Sequence, residues 1–191
     1  FQYFFSVVGV LFVLYMVGYA SFLFLSVTVG SSTLYSAKRR NALKNELSND
    51  YYVPVSILVP AHNEAVTIET TVRSLLALDY RLYEIIVVDD GSSDNTSQVL
   101  RDAFHMLPIN RPIHRKIFCQ PVEAVFESRA YKVPITLICK KNGGKADALN
   151  MGINASRYPY FLCVDADSIL QHDSLDKIVR PVLEEDNVIA V

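Results

Sequence analysis

Tryptophan is absent from this 191-residue chain, and cysteine occurs only three times, glycine seven times and proline eight times. So little glycine excludes a collagen-like or flexible low-complexity chain. The cysteines, Cys119, Cys139 and Cys163, are odd in number and form no C-x-x-C pair. Neither a disulfide framework nor a zinc site has support from that pattern. Two of the three stand in apolar runs and read as buried thiols in a reducing cytoplasm. An excess of one charge is also missing: 18 Lys+Arg stand against 20 Asp+Glu, a net charge of −2. A nucleic-acid binder would show a basic excess, so no nucleic-acid partner is expected. No G-x-G-x-x-G occurs, which leaves a nicotinamide or flavin dinucleotide site without support. What the chain does have is apolar residues, 51% of the total, too many for a disordered protein.

Charge is distributed unevenly. Residues 1–37 carry none, and Lys38 is the first. Residues 4–29 are long and apolar enough to cross a bilayer as a helix, with Gly9 and Gly18 as tolerated interruptions. A cleaved signal peptide would have a shorter core and a basic start. Lys38, Arg39, Arg40 and Lys44 follow at once, which by the positive-inside rule places the next domain in the cytoplasm. The expected organisation is a transmembrane anchor over 1–36, a linker or short interfacial helix over 37–52, and a soluble α/β domain over 53–191. The chain starts with Phe and stops within the apolar run of residues 188–191, and it reads as a fragment.

The soluble part alternates strand and helix patterns. Residues 55–59 form a short apolar run ended by Pro60, and residues 84–88 form another, stopped by Asp89-Asp90-Gly91. Residues 135–139 and 160–164 repeat the pattern, and residues 188–191 open a fifth run. Helical spacing follows in Ile68, Val72, Leu75 and Leu76, and helices are expected over 96–105, 146–155 and 174–183. Such alternation predicts a mostly parallel sheet with helices on both faces, and ligands beyond the carboxyl ends of its strands. Residues 106–134 break the rhythm and read as an extended connection with room for a strand or a short helix.

Four polar clusters sit at those strand ends. Pro60-Ala61-His62-Asn63-Glu64 joins a strand to a helix, where Glu64 suits the helix dipole and backbone groups can face a ligand. In Asp89-Asp90-Gly91-Ser92-Ser93-Asp94, Asp94 can cap the next helix. Asp89 and Asp90 serve either the turn or a ligand's N–H and hydroxyl groups. Asn142-Gly143-Gly144-Lys145 offers a backbone nest, a helix start and a cation, which suit a phosphate as well as they suit a plain turn. Asp165-Ala166-Asp167 ends an apolar run. Acids two apart in an extended stretch point the same way, and hard oxygens with room for water suit Mg²⁺ or Mn²⁺ shared with a diphosphate.

Taken in order, these clusters resemble the family 2 glycosyltransferases of GT-A fold, above all the membrane-anchored synthases of chitin, hyaluronan, cellulose and poly-N-acetylglucosamine. The likeness runs from about residue 55 to 170. It implies a nucleotide-sugar site in which Pro60, Ala61, His62 and Glu64 line the nucleoside pocket. Val88, Asp89 and Asp90 would hold the base, and Gly144 and Lys145 would lie near the nucleotide. Asp165 and Ala166 would contact the nucleotide, and Asp167 with Asp165 would ligate the metal. His62 replaces the Tyr often found at its position. The family's Thr-Glu-Asp tripeptide is missing, and without tryptophan no Gln-x-x-Arg-Trp can occur. Donor binding without turnover is the expectation for this stretch alone. The resemblance further implies a metal-assisted, inverting transfer from a nucleoside-diphosphate donor, preferably a UDP-sugar, to a growing glycan or lipid-linked acceptor at the membrane. A polyprenyl-phosphate or diacylglycerol transferase is the rival in the same class. A non-catalytic nucleotide-binding module is the rival in another.

Overall fold

The computed structural model describes residues 1–47, 52–114, 116–184, 188 and 190–191. The chain divides into two compact units, residues 1–51 and 52–191.

The first unit is one helix, α1 (Gln2–Leu47). Its stretch Tyr3–Thr28 has a mean hydropathy of 2.2 and is the one described helix long and apolar enough to cross a membrane. With no polar stripe and no charge, every side of that stretch is apolar, which suits lipid better than a protein–water boundary. The helix continues past Lys38 to Leu47, so the charged stretch assigned to a linker is helical up to that residue. The linker's last residues, 48–51, lie outside the described ones.

The second unit is a six-stranded sheet: β1 (Val55–Ala61), β2 (Tyr83–Asp90), β3 (Leu107–Pro108), β4 (Val122–Ser128), β5 (Ile135–Lys140) and β6 (Tyr160–Cys163). The spatial order is β3-β4-β5-β2-β1-β6. β5, β2, β1 and β6 run parallel, whereas β3–β4 and β4–β5 are antiparallel. The sheet is therefore mixed, because the connection over 106–134 folds back as β3 and β4. Four helices complete the unit: α2 (Ile68–Leu76), α3 (Thr96–Ala103), α4 (Lys145–Ala155) and α5 (Ser174–Glu184). Strand alternation sorts the core into two layers. Ile57, Val59, Ile85, Val87, Ile135 and Leu137 pack with Ile68, Val72 and Leu75 of α2, Leu100 of α3, and Leu175 and Val179 of α5. Leu58, Ile86, Val88 and Ile138 point the other way, onto Ala148, Met151 and Ala155 of α4.

Several boundaries differ from the sequence expectation for physical reasons. β1 runs through Pro60 instead of ending there. The Val164 amide donates to the Leu58 carbonyl, so backbone groups two residues on face the same side, and pairing with β6 stops at Leu58–Cys163. A missing N–H at Pro60 leaves no ladder bond unmade. β2 continues through Asp89 and Asp90, paired with Cys139 and Lys140 of β5. α3 stops at Ala103, and His105 follows with φ 50°, a left-handed conformation that no helix can continue. β6 ends at Cys163, so Asp165 and Asp167 lie in the turn beyond it. The fifth strand expected over 188–191 is not formed at residues 188, 190 or 191, and residue 189 lies outside the described ones. Cys163 is exposed and Cys139 half-buried, contrary to the buried-thiol reading; Cys119 is buried, and all three thiols are free.

Candidate active site: a cleft at the carboxyl ends of the strands

The loops that leave β1 and β2 are tied together by side chains. Asn63, at φ 59°, accepts the amides of Ser93 at 2.8 Å and Asp94 at 3.3 Å, while its own amide donates to Ser92 Oγ at 3.0 Å. Asp94 accepts the Thr96 amide at 2.9 Å and the Ala65 amide at 3.1 Å. It thereby binds the first amide of α3 from one residue ahead of the N-cap, which is Asn95 and not Asp94 as expected, and also fastens the loop after β1. The Thr96 hydroxyl and these amides hold the Asp94 carboxyl below its ordinary range. Glu64 receives the Thr67 hydroxyl at 2.8 Å, and its amide donates to Thr96 Oγ1.

The turn after β6 is held from α2. Thr71, buried, donates its hydroxyl to the Ala166 carbonyl at 2.7 Å. Ala166 is buried, and its two acidic neighbours are exposed. Fixing the middle residue aims Asp165 and Asp167 outward on either side.

Between these loops lies a cleft of about 250 Å³ lined by Pro60, Ala61, His62, Glu64, Asp90, Lys145, Ala148, Asp165, Ala166 and Asp167. Nine of these ten are residues picked from the sequence, gathered from β1 and the loop after it, β2, α4 and the turn after β6. Ala148 was not among them. It lies one turn beyond Lys145 on α4, and an alanine in a helix carries no local signal of a cleft wall. Three picked residues do not line the cleft. Val88 is buried in the α4 layer of the core. Asp89 alternates to the opposite face from Asp90 and accepts the Ser92 amide at 2.9 Å. Gly144 faces Asp90.

The glycine nest is occupied from within. Asp90, 3% exposed, accepts the Gly143 amide on Oδ1 at 3.0 Å and the Gly144 amide on Oδ2 at 2.7 Å. Those N–H groups thus serve the protein's own carboxylate and not a phosphate. The same carboxylate pairs with Lys140 Nζ, which also contacts Asp147 Oδ2 at 2.8 Å and donates to the Lys141 carbonyl at 2.8 Å. Burial alone would lower the Lys140 pKa, but the two carboxylates outweigh it and the net shift is upward. For Asp147, partial burial pulls upward, but Lys140 and the Gln120 amide prevail and the carboxyl ends below its ordinary range. Gly91 belongs to this junction: at φ 65°, a Cβ there would stand 2.8 Å from the Asn142 amide nitrogen. Gly144, at φ 89°, turns the chain into α4.

Across the cleft, Lys145 Nζ pairs with Asp165 Oδ1 at 2.6 Å, both side chains more than half exposed. Hydrogen bonding and the charge of Asp165 raise the Lys145 pKa. His62 Nδ1 lies 3.0 Å from the Asp90 carbonyl oxygen, so the tautomer with its proton on Nδ1 donates there. Among the described residues no three His, Cys, Asp or Glu side chains gather as a ready-made metal site. Two exposed carboxylates on one turn do fit a hard divalent cation that completes its shell with water and ligand oxygens.

Solved structures share this arrangement of sheet and helices. A mannosyltransferase from Pyrobaculum calidifontis, in complex with GDP-Man and Mn²⁺, superposes with a TM-score of 0.54 at 24% identity, over 69% of this chain and 32% of that one. TarS 1-349 of S. aureus superposes with a TM-score of 0.51 at 20% identity, over 70% and 33%. In sequence, the chain is 31% identical over 163 residues to the poly-beta-1,6-N-acetyl-D-glucosamine synthase of Staphylococcus aureus, covering 84% of this chain and 34% of the relative. The enzyme of the same description in Staphylococcus epidermidis is 32% identical over 120 residues, 63% and 23% of the two chains. The chain thus spans about a third or less of the length of these curated relatives. The model of the family described as "Glycosyl transferase family 2" matches residues 56–117 and 120–191, nearly the whole sheet unit. The chain belongs to glycosyl transferase family 2.

Proposed function

We propose that this chain forms the donor-binding part of a membrane-anchored glycosyltransferase that moves a sugar from a UDP-sugar to a growing polysaccharide. The observation that carries the reading is the meeting, in one cleft beyond the strand ends, of the Lys145 cation with the exposed carboxylates Asp165 and Asp167. Uridine lies along Pro60, Ala61, His62 and Glu64, and the diphosphate lies toward Lys145. UDP-N-acetylglucosamine is the first donor to test, given the description of the staphylococcal relatives. The apolar stretch Tyr3–Thr28 anchors the enzyme, and Lys38, Arg39, Arg40 and Lys44, later in the same helix, keep the sheet unit in the cytoplasm.

In the transfer, an acceptor hydroxyl attacks the anomeric carbon from the side opposite the diphosphate, with inversion. The bond to the diphosphate breaks with its electron pair, and Lys145 stabilises the charge that develops there. Asp165 and Asp167 would hold Mg²⁺ or Mn²⁺, which when bound supplies further positive charge to the leaving group. Lys145 must give up its pair with Asp165 to engage the diphosphate. Both groups are exposed, so that exchange costs little. The hydroxyl proton passes to a base supplied from outside these cleft residues.

Calorimetric titration of UDP into the full-length protein in detergent, with Mn²⁺ and with chelator, tests the reading. Metal-dependent binding is expected, weaker by about tenfold or more in Asp167→Ala at an unchanged melting temperature. Folded wild-type protein that binds no UDP, or binding that ignores both the metal and Asp167, would overturn it.

A further inference from the structure

We infer that Lys140, which does not line the cleft, is a positioning residue for the diphosphate: its buried contacts with Asp90 and Asp147 set the loop that presents Lys145. The inference rests on the donor-site reading above. Lys140 is the last residue of β5 and is fully buried, with Asp90 on one side and Asp147 in the first turn of α4 on the other. Asp90 in turn holds the amides of Gly143 and Gly144, and its carbonyl accepts Asn142 Nδ2 at 3.0 Å. Asp147 accepts the Gln120 amide on both oxygens at 3.1 Å. The loop over 141–144 is therefore fixed at its start, its middle and its exit into α4, and Lys145 is the next residue. Without the Lys140 ammonium, two carboxylates would face each other beneath this loop, and their repulsion would release the glycine amides and shift the start of α4. Lys145 would keep its charge and lose its placement. Misplacement of about 1 Å at such a group is enough for a large loss.

The effect should fall on the phosphate-bearing part of the ligand. In the donor-site reading uridine lies along the loop after β1, whose His62 meets Asp90 at its backbone carbonyl, whereas the Asp90 carboxylate that Lys140 holds is taken up by the glycine amides; UDP adds the diphosphate that Lys145 meets. The experiment compares UDP and uridine affinities, by calorimetry and competition, in the full-length wild type, Lys140→Met and Asp147→Asn. Lys140→Met should weaken UDP by about tenfold while uridine stays within about twofold. Asp147→Asn keeps an oxygen for the Gln120 amide, removes one charge from Lys140, and should weaken UDP by about threefold with the same selectivity. A purely structural lysine would lower the bound fraction of protein and leave the UDP-to-uridine ratio of the folded fraction at its wild-type value. That ratio in Lys140→Met, or in Asp147→Asn if Lys140→Met does not fold, overturns the inference. A wild type that binds uridine and UDP alike breaks the donor-site reading itself, and this inference with it.

Discussion

Two pairs of acids leave the two strands on either side of β1, and the protein treats them in opposite ways. At the end of β2, Asp90 is 3% exposed, and its carboxylate holds an ammonium and two amides. In the turn after β6, Asp165 and Asp167 are exposed, and the Asp165 carboxylate pairs with Lys145, itself exposed. The first arrangement is closed and the second is open. A carboxylate already saturated by fixed donors can organise a loop. A carboxylate facing water can exchange partners, as a site for a cation and a diphosphate must. The contrast arises in register: Lys140 stands directly beside Asp90 on β5, whereas β6 lies at the edge of the described sheet and its pairing with β1 ends at Cys163, short of Asp165.

The largest expected effect is on the closed side. Asp90→Ala leaves Lys140 buried with Asp147 as its one carboxylate partner and frees the amides of Gly143 and Gly144. Breaking a buried pair by removing one member costs about 3–5 kcal/mol. Urea denaturation of the full-length protein should show a loss of that size, whereas Asp167→Ala should melt with wild type. Equal stability of the two variants would erase the distinction between closed and open.

A smaller effect should appear with pH. The folded pKa of Asp147 is depressed below the ordinary 3.8, so this group stabilises the fold above that pH and the stabilisation is lost as pH falls through the depressed value. Lys140 has a raised pKa, so its contribution is complete below 10.5 and is lost as pH rises through the folded value. Denaturation followed from pH 5 downward should therefore have a shallower acid limb in Asp147→Asn than in wild type. Superimposable limbs would remove Asp147 from the closed cluster.

Much of the open side was legible in the sequence and little of the closed side was. Acids two residues apart after an apolar run carry their own signal, and the turn that replaced the expected extended stretch still exposes both. Lys140 carries none locally: between Cys139 and Lys141 it reads as a solvated lysine. Its partner is 50 residues away, and only the β2–β5 register joins them. The available clue was that two apolar runs, ending at Val88 and Cys139, each stop at residues of opposite charge. The fold shows the same division. Uninterrupted apolar runs gave away β1, β2 and β5, because both faces of those strands are buried. β4 could be placed no more closely than within the connection over 106–134, because only Val125 and Ser128 are buried in it, and two-residue β3 is exposed throughout.

The finest probe of the contrast is thiol chemistry, since a cysteine precedes each cluster. Cys139 stands immediately before Lys140, and burial, helped by the nearby Asp89 charge, pushes its thiol up to about 11. Cys163 stands two residues before Asp165; burial raises its thiol also, but Lys145 opposes the rise and the residue is exposed. Thiolate is the reactive form, so both access and ionisation favour Cys163. Iodoacetamide at pH 8.5, followed by peptide mass spectrometry, should modify Cys163 first and Cys139 slowly. Lys140→Met should narrow the gap, because a loosened end of β5 admits reagent and water to the buried thiol while the turn after β6 is untouched. Cys139 labelled as fast as Cys163 in the wild type would mean that the β5 end already opens in solution. The buried ion cluster could not then hold the loop ahead of Lys145 in a fixed position.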